Sequence, residues 1–160
     1  MRQSLSCLLL LVALAACETS TDPFTGFEGT GGLSQTQAAG NWTFTVHPAG
    51  PLTCPSGSLP DGQQLTTRLD VLADGAVPAT TSFWQNPPTT VQRPLSGNVT
   101  LGTGDVLLLM RASSGSVSAM ELQGRLTASG SFAGTISDPA PGSSVVFGTC
   151  VYTATGNKTS

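Results

Sequence analysis

Apolar and polar residues alternate along most of the chain after residue 39, and this alternation is typical of half-buried β-strands. The clearest segment runs from Gly40 to His47, where Trp42, Phe44 and Val46 share one face and polar side chains share the other. Clusters of Gly, Pro, Asn, Asp and Ser separate one such segment from the next, as turns do. The pattern predicts strands over 40–47, 65–73, 77–84, 95–101, 105–112, 118–127, 131–137 and 145–154.

Short strands at this regular spacing predict an all-β domain, folded either as an antiparallel up-and-down barrel or as a β-sandwich. The barrel is favoured because nearly every predicted connection is a hairpin, so the strands follow one another as a meander. Closing the meander also removes exposed sheet edges, which a chain with only 9% charged residues has difficulty protecting. We therefore expect an up-and-down barrel of about eight strands over 40–160.

The first 17 residues have the pattern of an export signal. Arg2 precedes an apolar run from Leu8 to Ala16, and small residues stand just before Cys17. The run is too short for a membrane-spanning helix, which needs about 20 apolar residues. Its end, Leu14-Ala15-Ala16-Cys17, resembles the lipobox of bacterial lipoproteins, in which the cysteine is acylated and becomes the first residue of the mature chain.

This resemblance implies a membrane anchor of two or three acyl chains on Cys17. Two chains hold a protein on a bilayer stably, whereas one chain binds only marginally. Glu18 stands where some enteric bacteria use Asp to retain lipoproteins at the inner membrane, so the resemblance favours the outer membrane. We expect a signal peptide over 1–16, a lipidated N-terminus and flexible tether over 17–39, and a barrel on the aqueous side.

Composition excludes several classes of function. Without the signal peptide the chain has five basic and nine acidic residues, a net charge of −4. No basic cluster is present in the sequence to neutralise phosphates, which argues against nucleic acid and against electrostatic binding to anionic lipid. The acyl chains are therefore the expected contact with the membrane.

Two cysteines remain in the body of the mature chain, Cys54 and Cys150. An even pair in an exported protein predicts a disulfide bond, with two free thiols or a metal site as the alternatives. Neither cysteine has a CxxC partner. A bridge from just after the first strand to the last strand would make these two strands neighbours, as they are in a barrel.

Residues for catalysis are scarce. His47 is the one histidine, and it lies on the polar face of the first predicted strand with nothing in the sequence to mark a partner. No G-x-S-x-G, HExxH, calcium-binding or phosphate-binding motif occurs, and no acidic residues are locally paired. We therefore predict a protein that is not an enzyme, with no catalytic residues, no metal and no cofactor.

Gly40-Asn41-Trp42 resembles the G-x-W signature on the first strand of lipocalins and related calycin barrels. The resemblance implies an eight-stranded barrel around an apolar cavity, with Trp42 closing the bottom. In lipocalins a basic residue near the last strand packs over this tryptophan, and Lys158, beyond the predicted last strand, is the basic residue in that region. The other role open to Trp42 is plain core packing.

The expected function is non-catalytic binding of a small apolar ligand inside the barrel. The alternative is an interaction or enzyme-inhibitor protein of the cell envelope that acts through its long loops, 48–64 and 86–94. The residues predicted to line the interior ligand site are Phe44, Leu69, Leu107, Leu109, Leu122, Phe132 and Phe147.

Overall fold

The computed structural model describes residues 32–49, 59–112, 119–138 and 150–159. The signal peptide, Cys17, most of the tether, Cys54 and Phe147 lie outside these ranges, and what was predicted for them stays a prediction. Within the ranges no helix is long and apolar enough to cross a membrane. The elements are α1 (Gln35–Ala38), β1 (Gly40–Pro48), β2 (Gln63–Leu69), β3 (Ala76–Val77), β4 (Phe83–Gln85), β5 (Arg93–Val99), β6 (Asp105–Arg111), β7 (Ala119–Leu126), β8 (Ser131–Asp138) and β9 (Cys150–Thr159).

The strands form a closed antiparallel barrel, which confirms the predicted all-β fold and rules out the sandwich alternative. Around the barrel the order is β1, β2, β4, β5, β6, β7, β8 and β9, and β9 pairs with β1 to complete the circle. Apart from β3, consecutive strands are neighbours, so the topology is the expected meander. β3 is an extra strand that pairs with the end of β5. The architecture is consistent with a lipocalin-like fold.

The predicted strand over 77–84 is two short strands instead of one. Pro78 has no N–H to offer a sheet, and its carbonyl accepts hydrogen bonds from the N–H groups of Thr81 and Ser82 at 3.3 and 3.0 Å. The resulting turn separates β3 from β4. β3 lies beside the second half of β5 and β4 beside the first half, so together they occupy one position in the wall.

The folded domain begins before Gly40, earlier than the sequence predicts. Ser34 caps α1 with a capping box, in which its side chain accepts from the N–H of Gln37 and the Gln37 side chain accepts from the N–H of Ser34. Leu33 and Ala38 are 4% and 0% exposed and belong to the core. The last part of the predicted tether is therefore part of the barrel domain.

Large side chains fill the half of the barrel nearest α1. The rings of Trp42 and Phe44 stack with centroids 6.4 Å apart, and Phe44 meets Phe132 edge-to-face at 5.1 Å. Gly124 and Gly134 face each other on β7 and β8, and a Cβ at either position would lie 2.6 Å from the Phe132 ring. These glycines leave the space that the phenylalanine ring occupies.

Candidate functional site

The two ends of the barrel differ in what covers them. One end of the barrel, which we name the closed end, is covered by α1 and by Leu33 just before it. α1 contacts the start of β1, the segment after β2 and the end of β9, and the Leu33 carbonyl accepts from the N–H of Gly102 in the β5–β6 turn. At the other end, which we name the open end, β1, β4, β6 and β8 finish. The internal stretches 50–58, 113–118 and 139–149, outside the described residues, all connect strands at the open end.

Trp42 and Lys158 hold α1 against the closed end. Trp42 is 0% exposed and its Nε1–H donates to the Ala38 carbonyl at 2.9 Å. Lys158 stands directly opposite Trp42 in the β1–β9 ladder, and its ammonium donates to the carbonyls of Thr36 and Gln37 at 2.8 and 3.0 Å. The prediction that the last strand ends before Lys158 was wrong, because β1 continues to pair with β9 as far as Thr159.

Replacing Lys158 with methionine should lower the free energy of unfolding by about 1–2 kcal/mol, because two carbonyl groups of α1 lose a charged donor. The measurement is chemical denaturation followed by tryptophan fluorescence. Arg68→Met is the matched control: Arg68 is an exposed cation with no ion pair among the described residues, and its loss should change stability by less than about 0.5 kcal/mol. Equal effects of the two substitutions would contradict this role of Lys158.

The side chains predicted to line a ligand site do not form one set. Leu107 is 47% exposed and Leu109 is half-buried, because they alternate along β6 with side chains that point inward. An interior site would not include these two residues, and Phe147 lies outside the described residues. Those that do point into the barrel are at most 2% exposed: Phe44, Leu69, Leu122 and Phe132.

One polar side chain inside the barrel has an unsatisfied hydroxyl. Thr67 is 4% exposed and lies between Trp42 and Trp84, its partners on β1 and β4. Its Oγ1 has no hydrogen-bond partner in the described parts of the chain. Leaving a buried hydroxyl unpaired costs about 1–3 kcal/mol, so this atom marks the place where a polar group in the interior would be stabilised.

Thr67→Val should raise the free energy of unfolding by about 1 kcal/mol, because it replaces the unpaired hydroxyl with a methyl group of similar size. Thr66→Val, on the half-buried outer face of the same strand, is the control and should have a smaller effect. Urea denaturation measures both. A loss of stability in Thr67→Val would show instead that the hydroxyl is bonded to a bound molecule or water in solution.

The open end combines aromatic, thioether and cationic side chains. Trp84 is 3% exposed and its Nε1–H donates to the Arg111 carbonyl at 2.9 Å. The Arg93 guanidinium lies over the Trp84 ring, 5.0 Å from its centroid, in a cation–π contact. Met110 and Met120 face each other across β6 and β7. Thioether side chains adapt readily to irregular neighbours, which suits them to the end of a barrel where other large side chains converge.

Asp138 and Cys150 are paired at the open rim. They face each other at the end of β8 and the start of β9. Burial raises the pKa of the Asp138 carboxyl above its ordinary value. Cys150 is 4% exposed, and its predicted disulfide partner Cys54 lies outside the described residues.

His47 has a partner that the sequence did not indicate. Its Nδ1 is 2.8 Å from Asp61 Oδ1, across the connection from β1 to β2. The two side chains are 52% and 74% exposed. A pair this exposed contributes little to stability and lies in open water, outside the barrel.

The outer wall carries two adjoining grooves that meet at Arg68 and Thr81. The first, about 440 Å³, runs from Gly40 over β2. The second, about 460 Å³, continues over β4 to β5 and is lined by Arg68, Ala79, Thr80, Thr81, Ser82, Phe83, Gln92, Arg93 and Pro94. Sequence reasoning did not select this surface, since its residues come from three separate segments.

Comparisons with known proteins found no relative of this chain. No protein-family model matches it, and no curated protein or solved structure does. Among the described residues, no three His, Cys, Asp or Glu side chains come together in a group that could hold a metal ion.

Proposed function

We propose that this chain is an exported lipoprotein, anchored to the cell envelope through acyl chains on Cys17, whose barrel is a non-catalytic scaffold for binding a protein partner. The connection from β4 to β5 at the open end is the proposed binding surface. The proposal rests on the packed closed half of the barrel, where Phe44 contacts both Trp42 and Phe132, so that half offers its outer surface and not its interior to a partner.

Val91 supports the choice of the open end. It lies in the connection from β4 to β5 and is 57% exposed, the highest value among the large apolar side chains of the described residues. The side chain of Gln63 donates to the Pro87 carbonyl at 2.9 Å, which holds this connection at the open rim. An exposed apolar side chain on a held loop is suited to a protein contact.

In-cell photo-crosslinking tests this binding surface. A photoreactive amino acid at Val91 should give one discrete protein adduct in the native envelope. Leu72 is the matched control, since it is 45% exposed and apolar but lies in the β2–β3 turn at the closed end. No discrete adduct from Val91, or the same adduct from Leu72, would contradict a partner at the open end.

The anchor has its own test. Metabolic labelling with a palmitate analogue should tag the protein, and Cys17→Ala should abolish the tag, because the lipobox resemblance makes this cysteine the acyl acceptor. Persistence of the label in Cys17→Ala would contradict acylation at this residue.

The second candidate function is binding of a small apolar ligand inside the open half of the barrel. The unpaired Oγ1 of Thr67 favours it, because a ligand with one polar group would satisfy that hydroxyl. Native mass spectrometry of the full-length protein in an uncharged detergent separates the two functions. A co-purified small molecule that Thr67→Val releases supports the ligand; the acylated chain alone supports the scaffold.

A further inference from the structure

The outer side of β6 carries two leucines at positions where a half-solvated strand is usually polar. Along β6 the side chains of Val106, Leu108 and Met110 are buried in the barrel, and Leu107 and Leu109 point outward between them. Leu107 is 47% exposed and Leu109 is half-buried. We name the surface that these two leucines form the β6 face.

The neighbouring strands do not cover the β6 face. Leu107 stands between Asn98 on β5 and Gln123 on β7, which are both exposed and uncharged. Leu109 has the short side chain of Ser96 on its β5 side. Successive outward residues of a strand are about 7 Å apart, so one phenyl ring can touch both leucines. The β6 face is therefore a surface that a single aromatic side chain fits.

The tether joins the described chain next to this face. Gly32 lies against Gly102 in the β5–β6 turn, where a Cβ built on Gly32 would be 3.2 Å from the Gly102 Cα. The N–H of Gly102 donates to the Leu33 carbonyl at 3.1 Å, which fixes this end of the described chain at the turn. β6 begins three residues after Gly102, so the tether and β6 start from the same corner of the barrel.

The tether has an aromatic residue at a spacing that matches the β6 face. Phe27 precedes Gly32 by five residues, and Leu107 follows Gly102 by five residues. Five residues extend at most about 17–18 Å, so a tether that runs beside the start of β6 brings the Phe27 ring to Leu107. Two glycines lie between Phe27 and Gly32, and they have no side chain that would keep the tether away from the barrel wall.

We infer that the tether docks on the barrel, with the Phe27 ring packed over Leu107 and Leu109. The contact removes apolar surface of all three side chains from water, and this burial drives the docking. Ten residues, 17–26, then remain between the proposed acyl acceptor and the docked ring, so the barrel of the anchored protein is held closer to the membrane than the whole tether allows. The docking requires neither acylation of Cys17 nor the partner proposed at the open end.

Photo-crosslinking from the tether tests the docking in cells that produce the full-length chain. Benzoylphenylalanine in place of Phe27 keeps an aromatic ring at this position, and it should form an adduct within one chain that mass spectrometry maps to β6. Leu107→Ser combined with Leu109→Ser should lower the yield of this adduct at least about fivefold, because the ring loses the apolar surface on which it packs.

Val151→Ser is the matched control, because Val151 is also an exposed apolar residue on an outer strand face but belongs to β9. The adduct yield in this variant should stay within about twofold of the wild-type yield. Circular dichroism of each variant checks that the barrel is intact. The proposal would be overturned by an adduct between two chains, an adduct with another protein, the absence of an adduct on β6, or an unchanged yield in the Leu107→Ser/Leu109→Ser variant.

Discussion

Phe132→Ala is expected to lower the free energy of unfolding by about 3–5 kcal/mol. The Phe132 ring is 2% exposed, meets Phe44 edge-to-face, and covers the two facing glycines of β7 and β8. Because those glycines have no side chains that could expand into the space, truncation should leave a cavity instead of a repacked core. Denaturation by guanidinium chloride, with tryptophan fluorescence as the signal, gives the difference.

Leu107→Ala is the control for this substitution, since Leu107 is also an apolar strand residue but is 47% exposed. Leu107→Ala should change the free energy of unfolding by less than about 1 kcal/mol, because much of the Leu107 side chain remains exposed in the folded barrel. If Phe132→Ala cost no more than Leu107→Ala, the interior could not be tightly packed, and an interior ligand would become the better hypothesis.

Breaking the proposed Cys54–Cys150 bridge is expected to lower the free energy of unfolding by about 2–4 kcal/mol. The bridge would close a long loop from Cys54, which follows β1 in the sequence, to Cys150, the first residue of β9, and β1 and β9 are the two strands that complete the barrel. Without it, the unfolded chain gains conformational freedom and the β1–β9 closure loses its covalent support. Cys54→Ser and the reduced wild-type protein should show the same denaturation midpoint.

Two measurements make this test specific. Adding reductant should lower the midpoint of the wild-type protein and leave that of Cys54→Ser unchanged. Thiol titration of the oxidised, unfolded mature protein should find neither Cys54 nor Cys150 reactive. Recovery of two reactive thiols would contradict the bridge, whatever the stability data show.

The sequence was sufficient for the fold wherever period-two alternation was clean. In β1 the alternation correctly placed Trp42, Phe44 and Val46 inside, because one polar and one apolar face leave a strand a single way to pack. The hairpin connections then predicted the meander, and the expected pairing of first and last strands is present.

The sequence was insufficient where both faces of a strand are apolar or where distant segments meet. In β6, Leu107 and Leu109 are as apolar as their inward neighbours, so alternation could not assign the faces. Gln35–Ala38 resembles a linker in composition, and only its contacts with β1 and β9 identify it as part of the fold. The two outer-wall grooves that meet at Arg68 and Thr81 depend on strand neighbours that no local pattern reveals.

The place where the described chain enters the barrel sets the end at which a membrane tether would join it. Gly32 packs against Gly102 in the β5–β6 turn, on the side that α1 covers. With acyl chains on Cys17, as proposed, the pull of the bilayer would reach the barrel at that side. The rim bearing Val91 lies at the opposite end, so a partner bound there would not meet the point of attachment.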